Sequence, residues 1–426
     1  MKNTGEYCFN LAEKLWPICR SITGQGIRTS LEIIQKEIPS FMIKEVQTGE
    51  KCFDWIVPKE WNISEGYIKD ATGNKILDFK NNNLHVVGYS TPVNKIISLK
   101  DLQTHLHSIE LLPNAVPYVT SYYDEYWGFC ISHKQRESLH DGNYQVYIAS
   151  SLKNGVLNYG ELLIPGKSSQ EIFLSTYLCH PSMANNELSG PVVVTALAKY
   201  LQSRSNYYSY RVIFIPETIG SIVYLSKNLQ ELKKNVVAGF NITCVGDDRC
   251  YSYLPSRNGN SLSDLVARHV LNHIDKNFIE YPWSARGSDE RQYCSPGIDL
   301  PIASMMRSKY GEYPEYHTSL DTLGGVVTKV GLEKSVNMYV RAIELLENYS
   351  RPKALFLCEP QLGKRGLYNN LSKINSANNS NIIMELLTWS DGNTSIIEIA
   401  DKCGIPAWEL YPIISQLKSH NLISIN

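Results

Sequence analysis

The apolar positions of the chain change period several times. In the first 40 residues Leu11, Leu15, Ile18 and Cys19 fall on one helical face. Gly24 to Gly26 interrupt it, and Leu31, Ile33, Ile34 and Ile38 begin a second face, so two helices are predicted. From about Met42 short apolar runs (FDWIVP, GYIKD, HVVGYS, YVTSYY, YWGFCIS) alternate with turn signals. Their aromatic and β-branched content predicts a small, mostly β region of about 80 to 90 residues. Two further strand-like stretches, QVYIASSL and GVLNYGELLIP, are joined at Lys153-Asn154-Gly155, a pairing that predicts a hairpin.

Beyond Pro165 strands and helices alternate. EIFLSTYLCH, YRVIFIPET, VVAGFNITCVG and LPIASMMRS read as buried strands. PVVVTALAKYLQSR, IVYLSKNLQELKK, LSDLVARHVLNHI and a long segment from about Lys329 to Tyr349 read as helices. Such alternation predicts an α/β fold, a mostly parallel sheet with helices on both faces. The Asn/Ser-rich stretch at 369–381 reads as linker. Three short helical patterns and a terminal LISI strand follow, the second helix ended by Gly404, and together they predict a winged helix-turn-helix. The expected organisation is an α/β domain of residues 1–53 and 137–350, a nested β-rich domain at 54–136, a linker at 351–380, and the winged helix at 381–426.

Composition narrows the function classes. Hydrophobic residues make up 43% and charged residues 19%, values of a globular chain and not of a disordered one. Lys plus Arg is 41 against 42 Asp plus Glu, which excludes a generally basic nucleic-acid binder. No signal-peptide core and no apolar run of about 18 residues is present, so no membrane association and a cytoplasmic location are expected. The ten cysteines form no C-x-x-C pair and read as free thiols.

In α/β sheets, sites form where strands end. The predicted strand ends carry Cys179-His180, Glu217, Thr243 with Asp247 and Asp248, and a late Tyr316-His317, with Gly287-Ser288-Asp289-Glu290-Arg291 between them. Imidazoles and carboxylates converging in this way suit a hydrolytic metal site. Each also has a plainer reading. Glu217 suits the start of the following helix, Asn186 a turn, and Asp289 and Asp321 helix or turn caps.

The sequence CHPSMANNELSG, followed by PETIGS, GSDE and YPEYHTSLD, resembles the zinc aminopeptidases of the cocatalytic di-zinc type, whose relatives include the glutaminyl cyclases. Order and spacing agree over roughly residues 140–350. The three-part layout is similar to a group of bacterial aminopeptidase-like proteins with a nested β domain and a C-terminal winged helix, linked to surface polysaccharide biosynthesis. The resemblance implies zinc, an aminopeptidase-like activity, His180 and His317 as ligands, and Glu217 as general base.

The chain departs from that family at several positions. The bridging Asp is Asn186, the second residue of Glu-Glu is Thr218, the third-strand Asp is Thr243, and the Asp of His-x-Asp is Ser182. Two dications with no anionic bridge repel one another, so a single zinc is expected instead. Its expected ligands are His180, Glu187 and His317, with Asn186, Asp247 and Asp248 in reserve. Tyr316 and Arg291 are expected to orient a peptide or amide-bearing substrate, including an amide on an amino-modified sugar. If Glu217 binds the metal, no obvious base is left nearby. The competing reading is an inactive aminopeptidase-fold binding protein, which the lost ligand positions favour.

Other signals are weaker. His105-x-His107 reads as surface or interface histidines. Gly166-Lys167-Ser168 lacks the first glycine of a P-loop. The Tyr122–Trp127 cluster suits a carbohydrate or peptide platform, or the core of the β region. From Asn381 to Asn426 five acidic residues face two lysines, so the winged helix is expected to contact protein or a second copy of the chain and not nucleic acid.

Overall fold

The computed structural model describes residues 3–367 and 374–425. These fall into two compact units. One contains residues up to Ser263 together with Ile279–Asn337, and the other contains Asp264–Phe278 together with Met338 onward.

In the first unit, α1 (Thr4–Leu15) and α2 (Gln25–Glu37) precede strand β1 (Met42–Gln47). The insert follows, with β2 (Glu60–Lys69), β3 (Lys75–Asp78), β4 (Val93–Ser98) and β5 (Asn143–Lys153). Then come β6 (Val156–Ile164), β7 (Glu171–Tyr177), α3 (Ser189–Gln202), β8 (Ser209–Ile215), α4 (Ile219–Asn235), β9 (Val236–Asn241), β10 (Ser252–Leu254), β11 (Ile279–Glu280) and β12 (Ile302–Met306). The large sheet has the order β1-β6-β8-β7-β9-β12-β10-β11. Its central strands β8, β7, β9 and β12 run parallel, and antiparallel pairs flank them.

All seven residues of β7 are buried, as a strand covered on both faces requires. Phe173, Ile213 and Ile215 pack on one face against Ile219, Ile222, Val223 and Leu225 of α4. On the other face α3 packs on β7 and β8, and α1 packs on α3. β1 joins the sheet at Gly160, where an added Cβ would lie 1.7 Å from the Phe41 ring. Phe41 is itself locked edge-on against Phe214, at 5.2 Å and 88°. Gly160→Ala is therefore expected to destabilise this unit by about 1–3 kcal/mol, read as a lower urea midpoint.

The expected hairpin at Asn154-Gly155 does not form. β5 pairs with β2 and β4 in a separate four-stranded antiparallel sheet of order β3-β2-β5-β4, whereas β6 pairs with β1 and β8. The turn carries the chain from one sheet to the other. The β-rich insert thus reaches to Lys153, past the expected limit of 136. Its core is built from Ile68, Leu77, Phe129, Val146 and Ile148, among others.

In the second unit, Pro352–Ala354 (β13) pairs antiparallel with Ile423–Ile425 (β14). Between them lie α5 (Ile374–Thr388), α6 (Ile396–Cys403) and α7 (Leu410–Ser419). The start of the expected linker at 351–380 is therefore a strand, its last residues open a helix, and 368–373 lie outside the described residues. Ser395 and Glu398 form a capping box, and Gly404 closes α6 at φ 68°. His269 belongs to this unit. Its Nδ1 meets Asp401 at 2.7 Å, and its Nε2 accepts the Ala407 amide at 2.9 Å. Among the described residues no disulfide joins any of the ten cysteines. Among the described residues no helix is long and apolar enough to cross a membrane.

Candidate metal centre

The strands β7, β8 and β9 deliver His180, Glu217 and Thr243 to one end of the sheet. His180 is almost fully buried, and its two nitrogens face different carboxylates. Nδ1 lies 2.7 Å from Glu187 Oε2, and Nε2 lies 3.6 Å from Glu217 Oε2. Burial opposes its charge, but Cys179 and Glu187 hold its pKa well above the usual imidazole range. Burial pushes Glu217 up while His180 opposes the shift, and Ser288 Oγ donates to Glu217 Oε1 at 2.8 Å.

His317 lies 5.5 Å from His180, ring centroid to centroid. Burial and the charge of His180 hold its pKa down to about 3, so it is a neutral imidazole. Its Nε2 is buried without a hydrogen-bond partner among the described residues. Tyr316 stacks on it at 3.9 Å and fixes its plane. The loops of the site hold non-glycine residues in the left-handed region: Ser182 at 40°, Thr218 at 65° and His317 at 54°. Such strain persists where surrounding contacts over-determine the backbone, commonly at functional sites.

Glu187, expected as the third ligand, stands beside His180, and the donor atoms of Cys179, His180 and Glu187 lie within 4.8 Å of one another. The 184–188 turn directs Glu187 behind His180, where Oε1 accepts the Cys179 amide and Oε2 meets His180 Nδ1. Both oxygens are thus engaged on the far side from His180 Nε2. Arg20, fully buried, adds its charge 3.9 Å from Glu187. Glu187 therefore orients the imidazole.

Asp247, a reserve ligand, is engaged elsewhere. It accepts from Asn185, Ser308 and Arg249 and so ties three loops together. Asp248 is exposed and bonded to Thr328. Asn186 donates to Tyr177 OH at 2.7 Å, and Thr243 Oγ1 meets the same hydroxyl at 2.6 Å. The two family positions expected to carry acids are thus joined into a neutral hydrogen-bonded cluster, which does not suit a second dication. His180 Nε2 and His317 remain as imidazole donors, with the Glu217 carboxylate 3.6 Å from His180 Nε2.

One participant was not legible in the sequence. Tyr118, from the insert, is half-buried, with its ring 4.8 Å from His180 and 5.2 Å from His317. Its amide donates to the His317 carbonyl at 2.8 Å, and Ser319 N donates to Val116 O at 2.8 Å. The insert thus covers the strand ends. Nothing local marks Tyr118, which lies about 200 residues from His317 and sits in a run that reads as strand. Asp289 accepts from the Thr218 amide and from Ser221, a capping role. Burial, reinforced by Glu217, pushes its pKa up to about 8. Asp321 caps the 184–188 turn through the amides of Asn185 and Asn186. Arg291 is exposed and bonded to Ser288 O and Thr218 Oγ1, at the rim of the site. His105 and His107 lie away from the centre. His105 stacks on Trp127 at 3.6 Å, and His107 bonds Tyr126 OH at 2.9 Å.

Fold and site together define an aminopeptidase-like α/β protein with a C-terminal winged helix. The chain belongs to the family described as Domain of unknown function (DUF4910), whose model matches residues 9–349, and residues 350–425 match the winged helix-turn-helix model. A Clostridium acetobutylicum protein, provisionally named a polysaccharide biosynthesis protein with an aminopeptidase-like domain, is 45% identical over 411 residues, 94% of this chain and 92% of that one. A crystal structure from the same organism, provisionally described as a peptidase, matches with a TM-score of 0.93 at 43% identity over 99% of this chain and 97% of that one. The zinc aminopeptidase of Bacillus subtilis matches with a TM-score of 0.58 at 14% identity over 80% of this chain and 94% of that one, a likeness of fold. The aminopeptidase-like resemblance and the α/β fold with its winged helix are borne out.

Proposed function

We infer that this protein is a hydrolase of a peptide or amide bond that works with one zinc per chain, held by His180 Nε2 and His317, in the chemistry of surface polysaccharides. The observation that carries this reading is the pair of imidazoles beside Tyr118, His180 buried next to Glu217 and His317 half-buried with an unpartnered nitrogen. Zinc supplies an activated water and a polarised carbonyl when bound.

The chain's own residues do the rest. Glu217, positioned by Ser288, takes a proton at Oε2 and returns it to the leaving amine. Glu187 fixes the tautomer of His180 with Nδ1 protonated, which leaves Nε2 as the donor. Tyr118 excludes water above both rings, and Arg291 lies at the rim to meet substrate. The neutral Tyr177–Asn186–Thr243 cluster favours the competing reading of a binding protein that has lost catalysis.

Elemental analysis of the purified full chain decides between the two. About one zinc per chain, lost in His317→Ala, is expected. Two zincs would overturn the single-metal assignment. No metal after zinc addition would leave the binding protein. Glu187→Gln is expected to weaken zinc affinity about 10–100-fold, read by competition with a chelating dye, because the imidazole loses its anionic partner. The winged helix, with its acidic excess, is assigned to contact with protein or with a second copy of the chain.

A further inference from the structure

Beside the centre, on the insert, lies a cleft of about 230 Å³. Its walls are Tyr89, Tyr122 and Tyr123, and its rim carries Asp124, Glu125 and Lys59. The hydroxyls of Tyr89 and Tyr122 are already used. Tyr89 bonds Thr23 Oγ1 at 2.6 Å, and Tyr122 bonds Tyr118 OH at 2.9 Å. Tyr89 is 1% exposed and packs edge-on against Tyr122 at 5.6 Å, so the rings offered to the cleft are those of Tyr122 and Tyr123. Tyr123 is 53% exposed and meets Trp55, 39% exposed, at 5.9 Å and 64°, so the two rings form an open aromatic corner. No side-chain partner is seen for Asp124 or Glu125 among the described residues. Tyr122 holds a left-handed φ of 41° and, through Tyr118, stands one side chain away from His180.

We propose that this cleft binds a single amino-sugar ring. The volume is below the roughly 300 Å³ at which drug-sized sites begin, so it takes one ring and not a chain. The C–H face of a pyranose packs on the exposed Tyr123 ring that lines the cleft, whose outer side meets Trp55. A protonated amine on that ring gains both the aromatic faces and the two carboxylates. Two rim carboxylates against one ammonium select a cation. An extended peptide is disfavoured because residues 121–125 form a turn and offer no strand edge for backbone pairing. The cleft's service as the substrate subsite rests on the hydrolase reading, whereas sugar binding itself does not.

Isothermal titration of the full chain with glucosamine, glucose and alanyl-alanine tests this. Saturable glucosamine binding is expected, with glucose weaker. Tyr123→Ala is expected to weaken glucosamine about fivefold or more, and Tyr123→Phe to retain it. The Asp124→Asn, Glu125→Gln double variant should abolish the preference over glucose. These residues are surface-exposed, and an unchanged thermal midpoint confirms folding. Absence of saturable glucosamine binding, an unaffected Tyr123→Ala variant, or a Tyr123-dependent preference for alanyl-alanine would each overturn the proposal. Zinc measured on the same preparations separates the two ideas. Zinc without sugar binding sinks the cleft alone, and sugar binding in a chain that takes up no zinc sinks the hydrolase alone.

Discussion

Glu217→Gln is expected to lower hydrolysis of an aminoacyl nitroanilide about 10²–10⁴-fold while leaving the zinc content unchanged. The glutamine amide keeps the shape of the side chain and the acceptor for Ser288, but it cannot carry a proton between water and the leaving amine. Glu217 is suited to that task because burial raises its pKa while His180 opposes the shift. The metal measurement makes the result interpretable. Loss of both zinc and activity would reassign Glu217 from base to third ligand. Unchanged turnover would remove it from the mechanism.

Arg211→Ala is expected to destabilise the larger unit by about 3–5 kcal/mol. Arg211, on β8, is almost fully buried and binds Glu171 through two bonds, Nε to Oε2 at 2.6 Å and NH2 to Oε1 at 2.9 Å. NH1 reaches Glu161 at 3.1 Å and Tyr224 OH at 3.0 Å. Truncation leaves carboxylates on β6 and β7 in low dielectric without a counter-charge, which costs more than the pair contributes. With a urea slope near 3 kcal/mol per molar, the midpoint should fall by about 1 M or more. Glu231, 52% exposed at its side chain, also touches Arg211, and Glu231→Ala should cost under about 1 kcal/mol. Equal effects of the two substitutions would refute the burial argument.

The β/α alternation was legible because a strand covered on both faces must be apolar throughout, as β7 is. His180, Glu217 and His317 were legible because sites gather at strand ends and their order resembles a known family. The hairpin was misread for a definite reason. Asn154-Gly155 encodes a tight turn, but turn chemistry says nothing about which neighbours the flanking strands pair with. β5 and β6 turn away from each other into different sheets. The orientation of Glu187, next to Asn186 in the chain, was not legible. In the 184–188 turn, consecutive side chains point apart, so one bonds Tyr177 while the other passes behind His180.

The sequence by itself determined the α/β architecture and the closing winged helix, because periodicity and residue type are local properties, and it singled out the residues of the proposed metal centre. Tertiary structure alone decided which nitrogen of His180 remains available, that the second metal position is a neutral cluster, and that Tyr118 roofs the centre. The first rests on Glu187, brought seven residues on behind His180 by the folded turn, and the others on contacts between segments about 60 to 200 residues apart. Such contacts are fixed by the packing of the insert against the sheet, and no local pattern records them.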